Sequence, residues 1–173
     1  MSWPEPKKSK KIITLKDSIG HLPSLESGQD SGIKYHYAKK HNDRDVHALM
    51  HTSEGKSALL NKVHYPKRAD GKRISGFHNT YKRMSWNEPA KARTTNGGNI
   101  GSHNNVHPGK KLKNGTYSDA RVLTLLETFI VSSIPQNIDL PDWASDAFIR
   151  KMIGEAIPPL MCKKILETIG SKS

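Results

Sequence analysis

Apolar positions at helical spacing are few in the first two thirds of the chain and frequent in the last third. Residues 15–19 predict one short helix, and residues 41–55 can hold a second that ends before Gly55. Residues 56–113 show no helical periodicity and are rich in Gly and Asn, which favours short strands and loops, with turns at ADGK, TNGGN and KNGT. This part of the chain is therefore expected to be irregular and β-rich.

The segment TLLE, residues 124–127, marks the start of a helix in the last third. It has the pattern of a capping box, in which the Thr124 hydroxyl accepts from the Glu127 amide while the Glu127 carboxylate reaches back. The apolar residues that follow share one helical face, and Pro135 is expected to end the helix.

Two further helices are predicted near the C-terminus. The apolar pattern places one at residues 144–153, with Gly154 just past its end. It places the other at residues 158–169, where Pro158 suits the first turn and Gly170 suits the end. Both predicted helices carry an apolar stripe.

Charge divides the chain at the same place. Residues 1–120 hold 22 Lys and Arg against 10 Asp and Glu, whereas residues 121–173 hold 6 of each. The first part is therefore expected to bind an anionic partner, nucleic acid first and an acidic protein second, while the neutral last part has another role. A hydrophobic content of 34% argues against a large independent core.

The sequence also restricts redox chemistry and location. Its single cysteine, Cys162, excludes an internal disulfide and a cysteine-rich zinc site. No apolar run is long enough for a membrane span or a signal peptide, so we expect a cytoplasmic protein without a membrane partner.

Three patterns that could indicate catalysis are each incomplete. EGKSALL, residues 54–60, lacks the first glycine of a phosphate loop, because Met50 occupies its place. Cys162 lies inside a predicted helix with no histidine near it in sequence, which is typical of a small core residue. His47 and His51 share one helical turn but lack the glutamate of a zinc hydrolase between them. No catalytic residue and no metal ligand is assigned, since histidines of basic chains more often contact phosphate.

The order of the segments resembles that of bacterial cytosine-5 DNA methyltransferases. RVLTLLETFI, residues 121–130, matches the ninth motif of that family, R-x-L-T-x-x-E. GEAIPPLM, residues 154–161, is similar to the tenth, G-N-A-V-P-P-x-L, although Glu155 stands where the family has asparagine. Residues 81–109 resemble the recognition domain that precedes the ninth motif, and residues 3–28 resemble the stretch after the eighth.

The resemblance implies an α+β fold in two parts. Residues 1–120 would form an irregular, β-rich target-recognition domain with its lead-in. Residues 121–173 would form a helical segment that docks on a Rossmann-type methyltransferase sheet. A partner chain would supply that sheet and the first to eighth motifs, because this sequence contains neither the S-adenosylmethionine turn nor the Pro-Cys nucleophile loop.

The resemblance also implies roles for individual residues. A threonine- and glycine-rich loop would enter the major groove, where arginine and asparagine side chains read guanine and adenine edges. The residues assigned to DNA contact are Arg83, Arg93, Thr94, Thr95, Asn96, Gly97, Gly98, Asn99 and His103. Those assigned to an S-adenosylmethionine site shared with the partner chain are Gly154, Glu155, Ala156 and Ile157. Those assigned a structural role are Arg121, Thr124 and Glu127, with Arg121 anchoring the recognition domain to the tail.

The sequence thus predicts the small subunit, or C-terminal portion, of a DNA (cytosine-5-)-methyltransferase in a restriction-modification system. It would hold double-stranded DNA and deliver a flipped cytosine to the catalytic cysteine of the partner. Two alternatives stay open: a stand-alone DNA-binding protein without an enzymatic role, and an inactive gene fragment. An RNA-binding role has less support, because aromatic residues make up only 6% of the chain.

Overall fold

The computed structural model describes residues 11–170, so the start of the predicted lead-in, residues 1–10, and the end of the predicted helical segment, residues 171–173, lie outside the described residues. Residues 11–170 form five α-helices and one short 3-10 turn. These elements are α1 Leu15–Ile19, α2 Asp43–Met50, the 3-10 turn Ala58–Leu60, α3 Leu125–Val131, α4 Asp146–Glu155 and α5 Pro159–Gly170. No helix of the described part is long and apolar enough to cross a membrane.

Isolated β-bridges hold the long segment between α2 and α3. Val106 lies at its centre, because it bridges to both Arg83 and Val122. Within residues 11–170 no bridges join into a strand. Residues with positive φ, among them Tyr81 at 48° and Asn104 at 50°, interrupt the extended backbone. The segment is irregular, as predicted, but the short strands expected here are reduced to single bridges.

Local sequence signals locate the first three helices. α1 and α2 lie where the sequence predicts them. Thr124 and Glu127 form the predicted capping box at the start of α3. That helix ends at Val131, before Pro135, because Ser133 takes a left-handed conformation with φ 56°.

The last two helices differ slightly from the prediction. α4 continues to Glu155, so Gly154 lies inside the helix and the prediction that it follows the end is wrong. Ala156 ends α4 by taking an extended conformation, with ψ 149°. α5 begins at Pro159, one residue after the predicted start at Pro158.

Three small apolar clusters form the core. The first joins α2 to the bridged segment and includes Leu49 and Val106. The second joins α1 to the bridged segment through Met84. The third joins α3 to α4, where Phe129 packs with Ile149. Each cluster brings together segments that are distant in sequence.

α5 takes no part in these clusters, and none of its described side chains is buried. Cys162 is exposed on this helix, so the expectation that it is a small core residue is wrong. α3 is different, since the side chains from Leu125 to Phe129 are all buried within this chain. The resemblance implies that the whole helical segment, residues 121–173, docks on a partner's sheet. The structure leaves only α5 and the outer face of α4 open to such a partner.

Candidate functional site

Arg121 is the centre of a buried ionic cluster that joins three segments. Its guanidinium donates to both carboxylate oxygens of Glu127, at 2.8 and 3.0 Å, and to Oδ1 of Asp119 at 3.0 Å. Its Nε donates to the carbonyl of Leu25 at 2.7 Å. Burial lowers the pKa of Arg121, but the two carboxylates outweigh burial and raise it. The charged arginine therefore ties the residues before α2 and the residues around Asp119 to α3.

His107 lies between the two carboxylates as a neutral imidazole. Its Nδ1 accepts a hydrogen bond from the Gly109 amide at 3.1 Å, so Nδ1 carries no proton. Its Nδ1 is 3.7 Å from Asp119, and its Nε2 is 3.6 Å from Glu127. Burial lowers the pKa of His107 to about 4, although both carboxylates act in the opposite direction. The imidazole therefore fills the interior without adding a charge at neutral pH.

Arg83 is buried next to this cluster. Its guanidinium donates to the carbonyl of Leu49 at 3.1 and 3.2 Å, of His107 at 2.9 Å and of Asp119 at 3.2 Å. Burial lowers the pKa of Arg83 to about 10, which leaves the group charged at neutral pH. Because the side chain has no exposed surface, the contact with DNA assigned to Arg83 would require these bonds to break, and it stays a prediction. In this structure Arg83 fastens the end of α2 to the bridged segment.

Residues 93–105, here called the recognition loop, are closed by one buried asparagine. The Nδ2 of Asn105 donates to the carbonyls of Gly97 at 3.0 Å and Asn99 at 2.6 Å. Asn105 is only 3% exposed. It therefore shapes the loop and is not available to read a base.

Arg93 also holds the recognition loop together. Its Nε donates to the carbonyl of Lys91 at 3.0 Å, and one of its terminal nitrogens donates to the carbonyl of Asn104 at 3.0 Å. Burial lowers the pKa of Arg93 to about 10, so the guanidinium stays charged at neutral pH. A two-bond contact from Arg93 to guanine would require these internal bonds to break.

The other residues assigned to DNA contact gather at the tip of the recognition loop, where they differ in exposure. The exposed residues are Thr95, Asn96, Asn99 and His103, and the half-buried residues are Thr94, Gly97 and Gly98.

A cleft of about 400 Å³, here called the basic cleft, separates the loop tip from α4. It is lined by Lys39 before α2, by Asn96 and Asn99 of the loop, and by Arg150 and Lys151 of α4. Three cations thus lie beside three amide side chains, because Asn42 also lines the cleft, and beside one carboxylate, that of Asp45. Cations of this kind contact phosphates, and amides contact base edges.

Arg150 has an incomplete set of hydrogen bonds at the basic cleft. Its Nε donates to Asp146 at 2.7 Å, and Nη1 donates to the carbonyl of Leu123 at 2.9 Å. Its Nη2 is buried and has no partner among the described residues. A buried donor without an acceptor costs roughly 1–3 kcal/mol, so a ligand oxygen that reached Nη2 would be stabilised there.

The tenth-motif residues lie beside a second, smaller cleft of about 230 Å³. Gly154, Ala156 and Ile157 line it, and the start of the recognition loop lies opposite them. Glu155 is not among the lining residues, because its exposed carboxylate points to Lys151 at 3.9 Å. The structure therefore brings together three of the four residues assigned to the cofactor.

The sequence analysis missed two residues on which this geometry depends: Asp119 and Arg150. Each acquires its role from distant partners. Asp119, for example, accepts from the Ser24 hydroxyl at 2.6 Å and from the Leu25 amide at 3.0 Å. The only local signal is that Asp119 is an acidic residue at the end of a strongly basic region.

Comparison with known proteins gives one family. The chain is 44% identical over 162 residues to the Type II methyltransferase M1.HgaI of Avibacterium volantium. The aligned region covers 94% of this chain and 45% of that protein. It is 25% identical over 169 residues to the Type II methyltransferase M1.HphI of Haemophilus parahaemolyticus. That aligned region covers 98% of this chain and 39% of the relative. The chain thus spans less than half the length of these curated relatives. A family model described as C-5 cytosine-specific DNA methylase matches residues 1–171. The chain belongs to the C-5 cytosine-specific DNA methylase family.

Proposed function

We propose that this chain is the target-recognising part of a DNA (cytosine-5-)-methyltransferase whose catalytic part lies on a partner chain. The partner would carry the first to eighth motifs, including the catalytic cysteine. Both relatives bear the name Type II methyltransferase, which supports a role in restriction-modification.

The observation that carries this proposal is an uncovered apolar surface on and around α4 and α5, here called the tail surface. Of the 16 large apolar side chains that are exposed in the described part of the chain, eight lie on these two helices and the residues next to them. They are Trp143, Phe148, Met152, Ile157, Leu160, Met161, Leu166 and Ile169.

The tail surface fits a protein partner better than DNA. Residues 121–173 hold as many acidic as basic residues, so they have little net attraction for phosphates. A large contiguous apolar patch on a soluble protein commonly marks an interaction site. Complete burial of one large apolar side chain contributes roughly 1.5–3 kcal/mol. A methyltransferase sheet on the partner chain would provide the apolar face that covers these residues.

S-adenosylmethionine supplies the methyl group in the chemistry of this family. The cleft beside Gly154 suits one wall of the S-adenosylmethionine site, because the cleft is small and mainly apolar. The Glu155 carboxylate does not line this cleft. Gly154, Ala156 and Ile157 would form that wall, and the partner chain would provide the rest. Glu155 would face the partner across the open side of α4.

The recognition loop and the basic cleft would hold the duplex. Lys39 and Lys151 would contact phosphates, and the unpaired Nη2 of Arg150 supports a phosphate oxygen at the same place. The exposed amides of Asn96 and Asn99 would contact base edges. Since the duplex hides the reacting face of cytosine, the target base must leave the stack to reach the partner's thiolate.

Methyl transfer from tritiated S-adenosylmethionine to DNA tests the proposal. The chain is expressed alone, together with the reading frames that flank its gene, and as a mixture of separately purified proteins. We expect label in DNA only when this chain and its partner are both present. Methylation by this chain alone would contradict the division of labour, and specific DNA binding with no active combination would favour a stand-alone DNA-binding protein.

A further inference from the structure

Three imidazoles meet where the end of α2 contacts the segment that follows the 3-10 turn. His47 and His51 lie one helical turn apart, and His64 reaches them from residues 61–66. The Nε2 of His47 is 3.0 Å from the Nδ1 of His64. The three side chains can each offer a ring nitrogen such that all three lie within 4.8 Å of one another.

The surrounding structure holds these rings in place. Asn61 fixes the backbone of His64, because its Nδ2 donates to the His64 carbonyl at 2.8 Å and to the Thr52 hydroxyl at 3.0 Å. The Nδ1 of His51 donates to the carbonyl of His47 at 2.9 Å. That bond leaves Nε2 of His51 with a free lone pair, which is how metal-binding histidines are commonly oriented.

The three rings pack closely against one another. The centroids of the His51 and His64 rings are 3.7 Å apart, and those of the His47 and His64 rings are 4.9 Å apart. No ion pair joins any of the three rings to a carboxylate within residues 11–170, although Asp43 lines the same open cleft as His47 and His64, together with the cations Arg44 and Lys67. Three imidazoles that converge in this way are a suitable donor set for zinc.

We propose that His47, His51 and His64 bind one divalent transition-metal ion of the Zn²⁺ class. Metal–nitrogen bonds of about 2.0–2.1 Å in a tetrahedral site separate two ligand nitrogens by about 3.3 Å, close to the pair already facing each other here. The ion would replace the hydrogen bond between His47 and His64 with two metal bonds. It would fasten residues 61–66 to α2 and keep one coordination position for water.

Metal titration of the purified chain tests this site. After treatment with a chelator, the protein is titrated with Zn²⁺ by calorimetry and with Co²⁺ by visible absorption, and its thermal midpoint is measured with and without Zn²⁺. We expect one equivalent of metal, a tetrahedral Co²⁺ spectrum and a higher thermal midpoint.

Two ligand variants and one matched control make the result specific. His64→Asn and His51→Asn should each weaken Zn²⁺ binding by at least the roughly 10–100-fold that loss of a supporting residue costs. His78→Asn, an exposed histidine outside the cluster, should leave binding unchanged. Circular dichroism of the metal-free variants checks that they fold. Less than one equivalent of metal in the parent protein, or ligand variants that bind Zn²⁺ as tightly as the parent does, would overturn the site.

Discussion

Gly154 in α4 packs directly against the backbone of Thr94 in the recognition loop. A Cβ added at Gly154 would lie 2.4 Å from the Thr94 carbonyl carbon and 2.4 Å from the Thr95 nitrogen. Such distances are too short for any side chain. Gly154 thus places α4 in direct contact with the recognition loop.

The first prediction concerns this contact. Alanine favours a helix over glycine by about 1 kcal/mol, yet we expect Gly154→Ala to destabilise the chain by about 1–3 kcal/mol because backbone atoms must move. Urea denaturation measures the change. Lys151→Ala, on the exposed side of the same helix, is the control and should stay within about 0.5 kcal/mol of the parent. A stabilised Gly154→Ala protein would mean that α4 and the loop do not touch.

Removal of the Arg121 guanidinium should cost far more than removal of a surface charge. Arg121→Met leaves Glu127 and Asp119 buried without their cation, so we expect a loss of about 3–5 kcal/mol in the free energy of unfolding. Lys164→Met breaks an exposed pair with Glu167 and should cost at most about 1 kcal/mol. Equal effects of the two substitutions in denaturation curves would refute a structural role for Arg121.

Acid should weaken the fold through His107. Its pKa falls from 6.5 to about 4 on folding, so between these values the unfolded chain binds a proton that the native state does not. The contribution of His107 to stability should therefore fall by up to about 1.4 kcal/mol per pH unit as pH drops through this window, and His41, whose pKa burial also lowers to about 4, adds to the loss in the same range. His107→Gln should be less stable at neutral pH but show a shallower pH dependence.

The control for this titration is the exposed His21. His21→Gln should keep the pH dependence of the parent protein, measured by denaturation at intervals from pH 7 to pH 4. An unchanged slope in His107→Gln would show that other groups cause the acid sensitivity.

Phosphate and base contacts should separate in DNA-binding measurements. Lys39→Ala should reduce the slope of log affinity against log salt by about 0.9, with little effect on sequence preference. Asn96→Ala should reduce discrimination between sequences by roughly 1–3 kcal/mol. Lys164→Ala, on α5, serves as the matched lysine control. If Lys39→Ala and Lys164→Ala changed the salt slope equally, DNA would not bind in the basic cleft.

The tail surface should be required for assembly and dispensable for folding. Leu166 is 59% exposed, so Leu166→Asp should leave the stability of the isolated chain nearly unchanged. It should weaken association with the partner by about 1.4 kcal/mol or more, a factor of ten in the dissociation constant. Lys163→Asp introduces the same side chain at another exposed position of α5, and a similar loss there would point to charge and not to apolar contact.

Features encoded by neighbouring residues could be predicted from the sequence. The hydroxyl of Thr124 and the carboxylate of Glu127 need only a helical turn between them, so the start of α3 was predicted correctly. The burial of Arg83 and Arg93 could not be predicted in this way. In the sequence, the residues around these arginines are as basic as those around exposed lysines. Only the folded chain shows that carbonyl groups from other segments accept their hydrogen bonds.

The position of Gly154 inside α4 could not be predicted from its neighbours in the sequence either. Its position in the sequence suits a helix end, and nothing local indicates that the Thr94 backbone occupies the space beside it. The family resemblance identified the residue as important but assigned it to the cofactor. Its packing against the recognition loop depends on a contact between residues 60 positions apart, which periodicity and capping patterns do not reveal.

The isolation of α5 gives the molecule a built-in reporter of its assembly state. The helix has 12 residues and buries none of its described side chains, and helices of about this length are marginal in water without tertiary support. Its amide hydrogens should therefore exchange with solvent much faster than those of α3. Protection of the amide hydrogens of residues 159–170 would then rise on docking. The exchange rate of this one helix would therefore measure the fraction of chains that are bound to the partner.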